Sequence, residues 1–478
     1  MSFVVFYAKV MSWFNIQRKN LMAINRKIPK FGIMLEHNTH VKGENIKKEM
    51  STRPKIGKYK YLFLCFSFVF KGSLASNLPN TDVNFMVMND AHVHSVGIDL
   101  IKDIGVDEFN QDMAELENTY KANPDRFKIG LFLGDANAHI ARHAPFARQS
   151  TDINIRLVYE KYINSLDNKI PVYITPGNDD TPQYDYGYID YEGHFSKHNN
   201  ELEELNYSPN LLIHFNHMAD DTNLVYYNQD TTDYLYRLRL GTTVMQANNA
   251  YLVGINTMPL DSDYKGSTQD GYANIYDLNK YLGYVFAHEG KAIIITHFPY
   301  GINVATSLIK GKKQNFYTAQ YESKFKKAIC KYSKNVSFIL SGHNHMNDIR
   351  TIDCGQGVRI YDISFAAMTN VSPWNNFSSF SELKYNTQKN TINDIISHSK
   401  VGNKQWKTFS WLSEFGCASD EQLLACISGK INLEKTNDLT SDTLRNYGGL
   451  NNTSTKLLVN QKKYKDIAKK YIAENLAL

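Results

Sequence analysis

The sequence predicts an α/β fold, and three observations predict it. Five apolar runs of strand length, at residues 83–88, 128–133, 172–175, 291–296 and 336–340, each stop at a loop that carries Asp, Asn or His. Amphipathic stretches with helical spacing stand between them. Strand–helix–strand order of this kind builds a sheet covered by helices. At 478 residues, 42% hydrophobic and 21% charged, the chain can bury a sizeable core and has the composition of a globular protein.

The N-terminus reads as a targeting segment. Residues 50–60 are basic, residues 61–70 are a ten-residue apolar core, and Lys71-Gly-Ser-Leu-Ala-Ser76 supplies small residues before Asn77. Basic, apolar, small is the order of a secretory signal. The core is shorter than the roughly 20 residues a membrane span needs, so no transmembrane span is expected in the mature chain. The signal begins at Met50, so residues 1–49 read as an upstream extension without structure of its own.

The body follows in order. Residues 107–120 place Phe109, Met113, Leu116 and Tyr120 on one helical stripe, and residues 153–166, 275–286 and 319–332 also fit helices. Residues 234–240, 251–256 and 358–363 read as further strands of a second sheet. Residues 185–210 and 300–315 are loop-rich. Beyond residue 386 the pattern reads as mostly helical, with Trp406 and Trp411 as anchors and residues 461–478 as an amphipathic helix carrying Tyr464, Ile467, Tyr471 and Ile472. The expected organisation is an extension at 1–49, a signal at 50–76, a catalytic domain at 77–385 and a helical subdomain at 386–478.

The strand ends carry the chemistry. The first run leads to Asn89-Asp90-Ala91-His92 and the second to Gly134-Asp135-Ala136-Asn137-Ala138-His139. The third leads to Pro176-Gly177-Asn178-Asp179-Asp180, the fourth to His297, and the last to Ser341-Gly342-His343-Asn344-His345. Loops at the ends of α/β strands are where such folds place ligands. Carboxylates and imidazoles together suit zinc, manganese or iron.

This ordered set, D-x-H, G-D-x-x-x-H, G-N-x-[DE], H, G-H-x-H, resembles the calcineurin-like metallophosphoesterases over residues 83–364. Asn370-Val-Ser-Pro-Trp-Asn-Asn-Phe377 adds a likeness to the branch of acid sphingomyelinase-like phosphodiesterases and endopolyphosphatases. The resemblance implies a four-layer sandwich of two mixed sheets flanked by helices. It also implies two divalent cations, zinc first and manganese or iron as alternatives. Asp135 would bridge them, Asp90, His92 and His345 would complete one site, and Asn178, His297 and His343 the other. A water between the cations would attack phosphorus in line, cleaving a phosphoester or phosphoanhydride bond. His139 and Asp179 are the candidate catalytic side chains, His139 the favoured proton donor. Most relatives have His where Asp179 stands.

Charge narrows the partners. Residues 1–76 hold 14 basic and 3 acidic side chains, a balance of +11, which leaves 39 basic and 45 acidic, −6, for the rest. A duplex nucleic acid wants a basic footprint, so a DNA exonuclease of the same superfamily fits less well. The substrates to expect are small phosphorylated compounds: a nucleotide, a phosphocholine compound or polyphosphate. A metal-bound binding protein with impaired catalysis is the alternative, motivated by Asp179. Export to the periplasm or the medium agrees with four cysteines outside the signal, Cys330, Cys354, Cys417 and Cys426. These allow three pairings, of which Cys330–Cys354 and Cys417–Cys426 are nearest in sequence.

Overall fold

In the computed structural model the five apolar runs become strands β1 (Asp82–Met88), β4 (Phe127–Phe132), β5 (Val172–Ile174), β9 (Lys291–Ile295) and β10 (Val336–Ser341). The other strands are β2 (Val93–His94), β3 (Ile104–Gly105), β6 (Val225–Tyr226), β7 (Thr243–Ala247), β8 (Ala250–Gly254), β11 (Asp348–Asp353), β12 (Arg359–Ser364), β13 (Ser379–Asn386), β14 (Thr391–Val401) and β15 (Gln405–Ser410). The helices are α1 (Val106–Ala122), α2 (Ala147–Ser165), α3 (Thr268–Ala287), α4 (Ala319–Lys331), α5 (Trp411–Glu414) and α6 (Leu423–Lys430). The structure describes residues 82–94, 104–138, 147–167, 169–170, 172–180, 225–226, 243–247, 250–264, 266–303, 314–345, 347–369, 378–401, 405–418 and 422–430. All of them fall within the compact unit Ser76–Leu478. The expected extension at 1–49, the signal at 50–76, the strand at 234–240, the insertion at 185–210 and the terminal helix at 461–478 lie outside the described residues.

Two mixed sheets are present. One runs β15-β14-β13-β1-β4-β5, the other β11-β12-β10-β9-β8-β7-β6. At the centre of each, neighbours are parallel: β1 with β4 and β4 with β5, then β8 with β9, β9 with β10 and β10 with β12. The flanks are antiparallel hairpins such as β13–β14 and β7–β8. Parallel central strands put several C-terminal ends on one rim, and the loops of that rim make the site.

Burial gives the layers. Val83, Phe85 and Val87 of β1, Ile129 and Leu131 of β4, Leu252 of β8, Ile293 and Ile295 of β9, and Phe338 and Leu340 of β10 share one core between the sheets. The alternate residues Met86 and Met88 face outward onto Phe109, Met113, Leu116 and Tyr120 of α1 and onto Val158 and Tyr162 of α2. On the second sheet Val253, Ile294 and Ile339 face Leu278, Tyr281 and Val285 of α3 and Phe325 and Ile329 of α4. Strands buried on both faces read as continuous apolar runs, which is why they were visible in sequence. Helix–sheet–sheet–helix is the four-layer sandwich expected.

Local signals agree with the helices. The stripe Phe109, Met113, Leu116, Tyr120 is the buried face of α1, which has Asp107 and Glu108 in its first turn and Lys121 in its last. Ser267 caps α3: its hydroxyl accepts from Gln269 N while Asp270 accepts from Ser267 N. Both nearest-neighbour disulfides form, Cys330–Cys354 and Cys417–Cys426, closing separations of 24 and 9 residues.

One expectation is corrected. Residues 391–410 are not helical: β14 and β15 extend the first sheet from β13. The chain past residue 385 therefore continues the sheet before α5 and α6 begin. The signal was hidden because the inward side chains of β14 include serines. Ser397 and Ser399 are fully buried and satisfied by hydrogen bonds from Trp411 Nε1 and from Ser379 Oγ, at 2.9 and 2.8 Å. Polar residues in buried positions erase the hydropathy alternation that marks a strand. Among the described residues, no helix is long and apolar enough to cross a membrane.

Candidate metal centre

Five of the seven candidate ligands sit where the backbone is left-handed. Among the described residues nine non-glycine residues have positive φ, and five of them are Asp90, His92, Asp135, His343 and His345. Left-handed backbone is uncommon for non-glycine residues, although Asp and His adopt it more readily than most. Its concentration at one rim shows that surrounding contacts hold the loops in place, as functional sites require. Two glycines allow those loops to touch. A Cβ on Gly177 would lie 2.1 Å from Asp135 Oδ1, and one on Gly134, at φ +97°, 2.6 Å from His297 Nδ1.

Seven side chains converge. His92 Nε2 lies 3.0 Å from His345 Nε2 and 3.9 Å from Asp90 Oδ1, and His345 Nε2 is 3.6 Å from the same oxygen. His297 Nε2 is 3.1 Å from both Asp135 Oδ2 and Asn178 Oδ1. The potential donor atoms of Asp90, His92 and His345 lie within 4.8 Å of one another, as do those of Asp135, His297 and His343. Asp135 Oδ2 faces both groups, 3.1 Å from His297 Nε2 and 3.8 Å from His92 Nε2.

Hydrogen bonds decide which lone pairs point inward. His297 Nδ1 is 2.7 Å from Leu133 O, and His92 Nδ1 is 3.2 Å from Asn137 O. A carbonyl can only accept, so Nδ1 carries the proton and Nε2 faces the centre as a ligand atom. His343 is packed on edge against Phe298 and Phe316, with ring centroids 4.2 and 5.5 Å away. Asp90 accepts from His343 N at 2.9 Å and from Asn89 Nδ2, which also donates to Phe365 O.

The electrostatics fit cations. Four carboxylates are buried in this space: Asp90 at 0%, Asp135 and Asp179 at 1% and Asp180 at 9% exposure. Buried charge is costly unless opposite charge meets it. Burial pushes the Asp90 carboxyl up to about 8 against the pull of His297. Burial also acts on Asp135 and His297, but their mutual contact wins. His297 is raised to about 10, and Asp135, facing His297, His92 and His343, is held well below the usual carboxylate range. A site that draws protons onto imidazoles to balance carboxylates has the donor set and charge for divalent cations.

Sequence reasoning named Asp90, His92, Asp135, Asn178, His297, His343 and His345, and the fold brings all seven together. Asp179 is beside them, but its side chain is buried and Oδ2 is 3.7 Å from His92 Nδ1. His139 lies outside the described residues. His94, near the ligands in sequence, is 8% exposed on β2, where β3 pairs alongside it. Two supporting residues were missed. Asp180 accepts four backbone N–H groups, from Asp135, Ala136, Asn137 and Gly177, at 2.8–3.1 Å. Asn137 donates to Asp179 O and accepts from Asn154. Their only sequence signal was a place inside the motifs.

Fold and site together define a four-layer α/β protein with a candidate two-cation centre on its strand rim. Neither a protein-family model nor a curated protein sequence matches the chain. Among solved structures it is similar to a dimetal phosphatase from Danio rerio at 10% identity, covering 69% of this chain and 98% of that one with a TM-score of 0.41. It is also similar to a purple acid phosphatase from yellow lupin seeds at 12% identity, covering 69% of this chain and 54% of that one with a TM-score of 0.37. A third similar structure is a 5′-nucleotidase precursor from Thermus thermophilus, at 13% identity, 69% and 54% coverage and a TM-score of 0.32. The chain thus spans about half the length of the lupin and Thermus proteins.

Proposed function

We propose that this chain is a dinuclear-metal phosphoesterase that hydrolyses small phosphorylated compounds, in the manner of the acid sphingomyelinase-like phosphodiesterases. The observation that carries this reading is the position of Asp135: one carboxylate oxygen faces both ligand groups, 3.1 Å from His297 and 3.8 Å from His92. Asp90, His92 and His345 would hold one cation. Asn178, His297 and His343 would hold the other, with Asp135 common to both. When bound, the two cations supply charge neutralisation for phosphoryl oxygens and a more acidic water.

The chain's own residues then have defined tasks. Leu133 O and Asn137 O hold His297 and His92 with Nε2 turned inward. Asn89 and the His343 backbone orient the Asp90 carboxylate. Phe298 and Phe316 shield the side of His343 and keep its ring from rotating. Proton delivery to the leaving oxygen is assigned to His139, four residues after Asp135 in sequence. Substrate choice is assigned to the 185–210 and 300–315 loops. The second loop closes at its base through the Ile302–Asn315 bridge and through Arg350, which donates to Tyr300 O and Ile302 O. The substrate class is a nucleotide, a phosphocholine compound or polyphosphate. Export is part of the proposal: a basic–apolar–small segment stands at 50–76, and two disulfides suit an oxidising compartment.

The test is metal content together with hydrolysis of bis-nitrophenyl phosphate, on protein beginning at Asn77, with and without chelator. About two metals per chain and chelator-sensitive turnover are expected. Two metals without turnover on a broad ester panel would favour a binding protein. Protein that takes up no metal would overturn the proposal.

A further inference from the structure

Asp179 stands among the ligands yet is positioned unlike them. Its backbone is clamped on both sides: the N–H donates to Asp135 Oδ1 at 2.8 Å, and the carbonyl accepts from Asn137 Nδ2 at 2.9 Å. The residue is 1% exposed. Its Oδ2 lies 3.7 Å from His92 Nδ1, the edge of the ring opposite the Nε2 that faces His345 and Asp90. The Nδ1 proton therefore lies between two oxygens, Asn137 O at 3.2 Å and the Asp179 carboxylate.

We infer that Asp179 is a positioning residue for His92, an outer carboxylate that orients the imidazole and strengthens Nε2 as a metal ligand, and not a proton donor to substrate. The inference rests on the dinuclear reading above. A carboxylate behind a ligating histidine holds the ring's tautomer and raises its basicity. A neutral acceptor such as Asn137 O holds the tautomer but brings no full charge. The effect should be largest at the cation held by Asp90, His92 and His345, because the Asp179 carboxylate lies behind His92; a carboxylate oxygen of Asp179 also comes within 4.8 Å of one of Asp135, the residue shared with the other group. The backbone contact of Asp179 to Asp135 survives a change of side chain.

The experiment is a cobalt titration of the protein from Asn77 onward, followed by visible absorption and by competition with a chromophoric chelator. Wild type, Asp179→Asn and Asp179→Ser are compared, with circular dichroism and thermal unfolding as folding controls. The wild-type protein is expected to bind two equivalents. In both variants one equivalent should weaken by about 10- to 100-fold with a changed visible spectrum, and the other by clearly less. A third comparison isolates the pair: in a His92→Gln background, adding Asp179→Asn should change cobalt binding no further. Two equivalents bound as in wild type, with turnover lost only for poor leaving groups, would overturn the inference and return Asp179 to proton transfer. Further weakening in the His92→Gln background would show that Asp179 acts on something other than His92. A wild-type chain that binds no cobalt would instead overturn the dinuclear reading itself.

Discussion

The Asp180 carboxylate accepts the backbone N–H of Asp135 at 3.0 Å, across 45 residues of sequence. It also accepts from Ala136, Asn137 and Gly177. One side chain thus ties the loop after β4 to the loop after β5. It turns the Asp135 backbone into the conformation that aims its carboxylate at both histidine groups.

Removing that tie should loosen the centre. Asp180→Ala leaves buried N–H groups without an acceptor, an expected loss of about 2–4 kcal/mol. Urea unfolding at pH 7 measures it, and metal content should fall with it. Wild-type stability in Asp180→Ala would show that the loops hold each other by other means.

Gly177→Ala places a methyl group 2.1 Å from Asp135 Oδ1 and 2.3 Å from Asp135 N. Backbone must move, because no flexible side chain is available to yield. Turnover of bis-nitrophenyl phosphate should drop by roughly a hundredfold or more, as a misplacement of about 1 Å at a reacting centre can cost. Activity within threefold of wild type would place the two loops farther apart in solution than described here.

Asp135→Asn keeps the shape of the side chain and removes its charge. Activity should fall by roughly a hundredfold or more while far-UV circular dichroism is unchanged, since the carboxylate proposed to bridge both cation sites loses its charge. Metal analysis should show fewer than two equivalents. Full activity in this variant would remove Asp135 from the bridging position.

Asp362 predicts a pH dependence of stability. It is buried, accepting from Tyr300 N at 2.6 Å and from Ser341 Oγ at 2.7 Å. Burial pushes its carboxyl up to about 6, although those donors and Arg350 pull the other way. The folded state therefore keeps this proton after the unfolded chain, near its ordinary pKa of about 3.9, has released it. The stabilisation is fully present below about pH 4 and is lost as pH rises through about 6, a change of about 3 kcal/mol. Denaturant unfolding of wild type and Asp362→Asn at pH 4 and pH 7 checks it. The difference between the two proteins should shift by that amount in favour of the variant at pH 7. Parallel curves would place the carboxyl's pKa near its ordinary value.

Much of this protein is determined by local sequence. β1, β4, β5, β9 and β10 carry mostly apolar runs because most of their residues are buried on both faces, and α1 carries its buried stripe at helical spacing. The seven ligand candidates could be named because each follows a strand directly, so its place on the rim comes with the strand. The rest depends on contacts between residues distant in sequence. β14 is a strand because β13 and β15 pair with it, and its buried serines carry no apolar signal. Asp180 and Asp179 are neighbours in sequence with the same side chain. One accepts four backbone amides and the other turns to His92, because the loop bearing Asp135, Ala136 and Asn137 packs against them from more than 40 residues away. A carboxylate's identity is written in the chain, but its direction is set by whichever donors the fold brings within 3 Å.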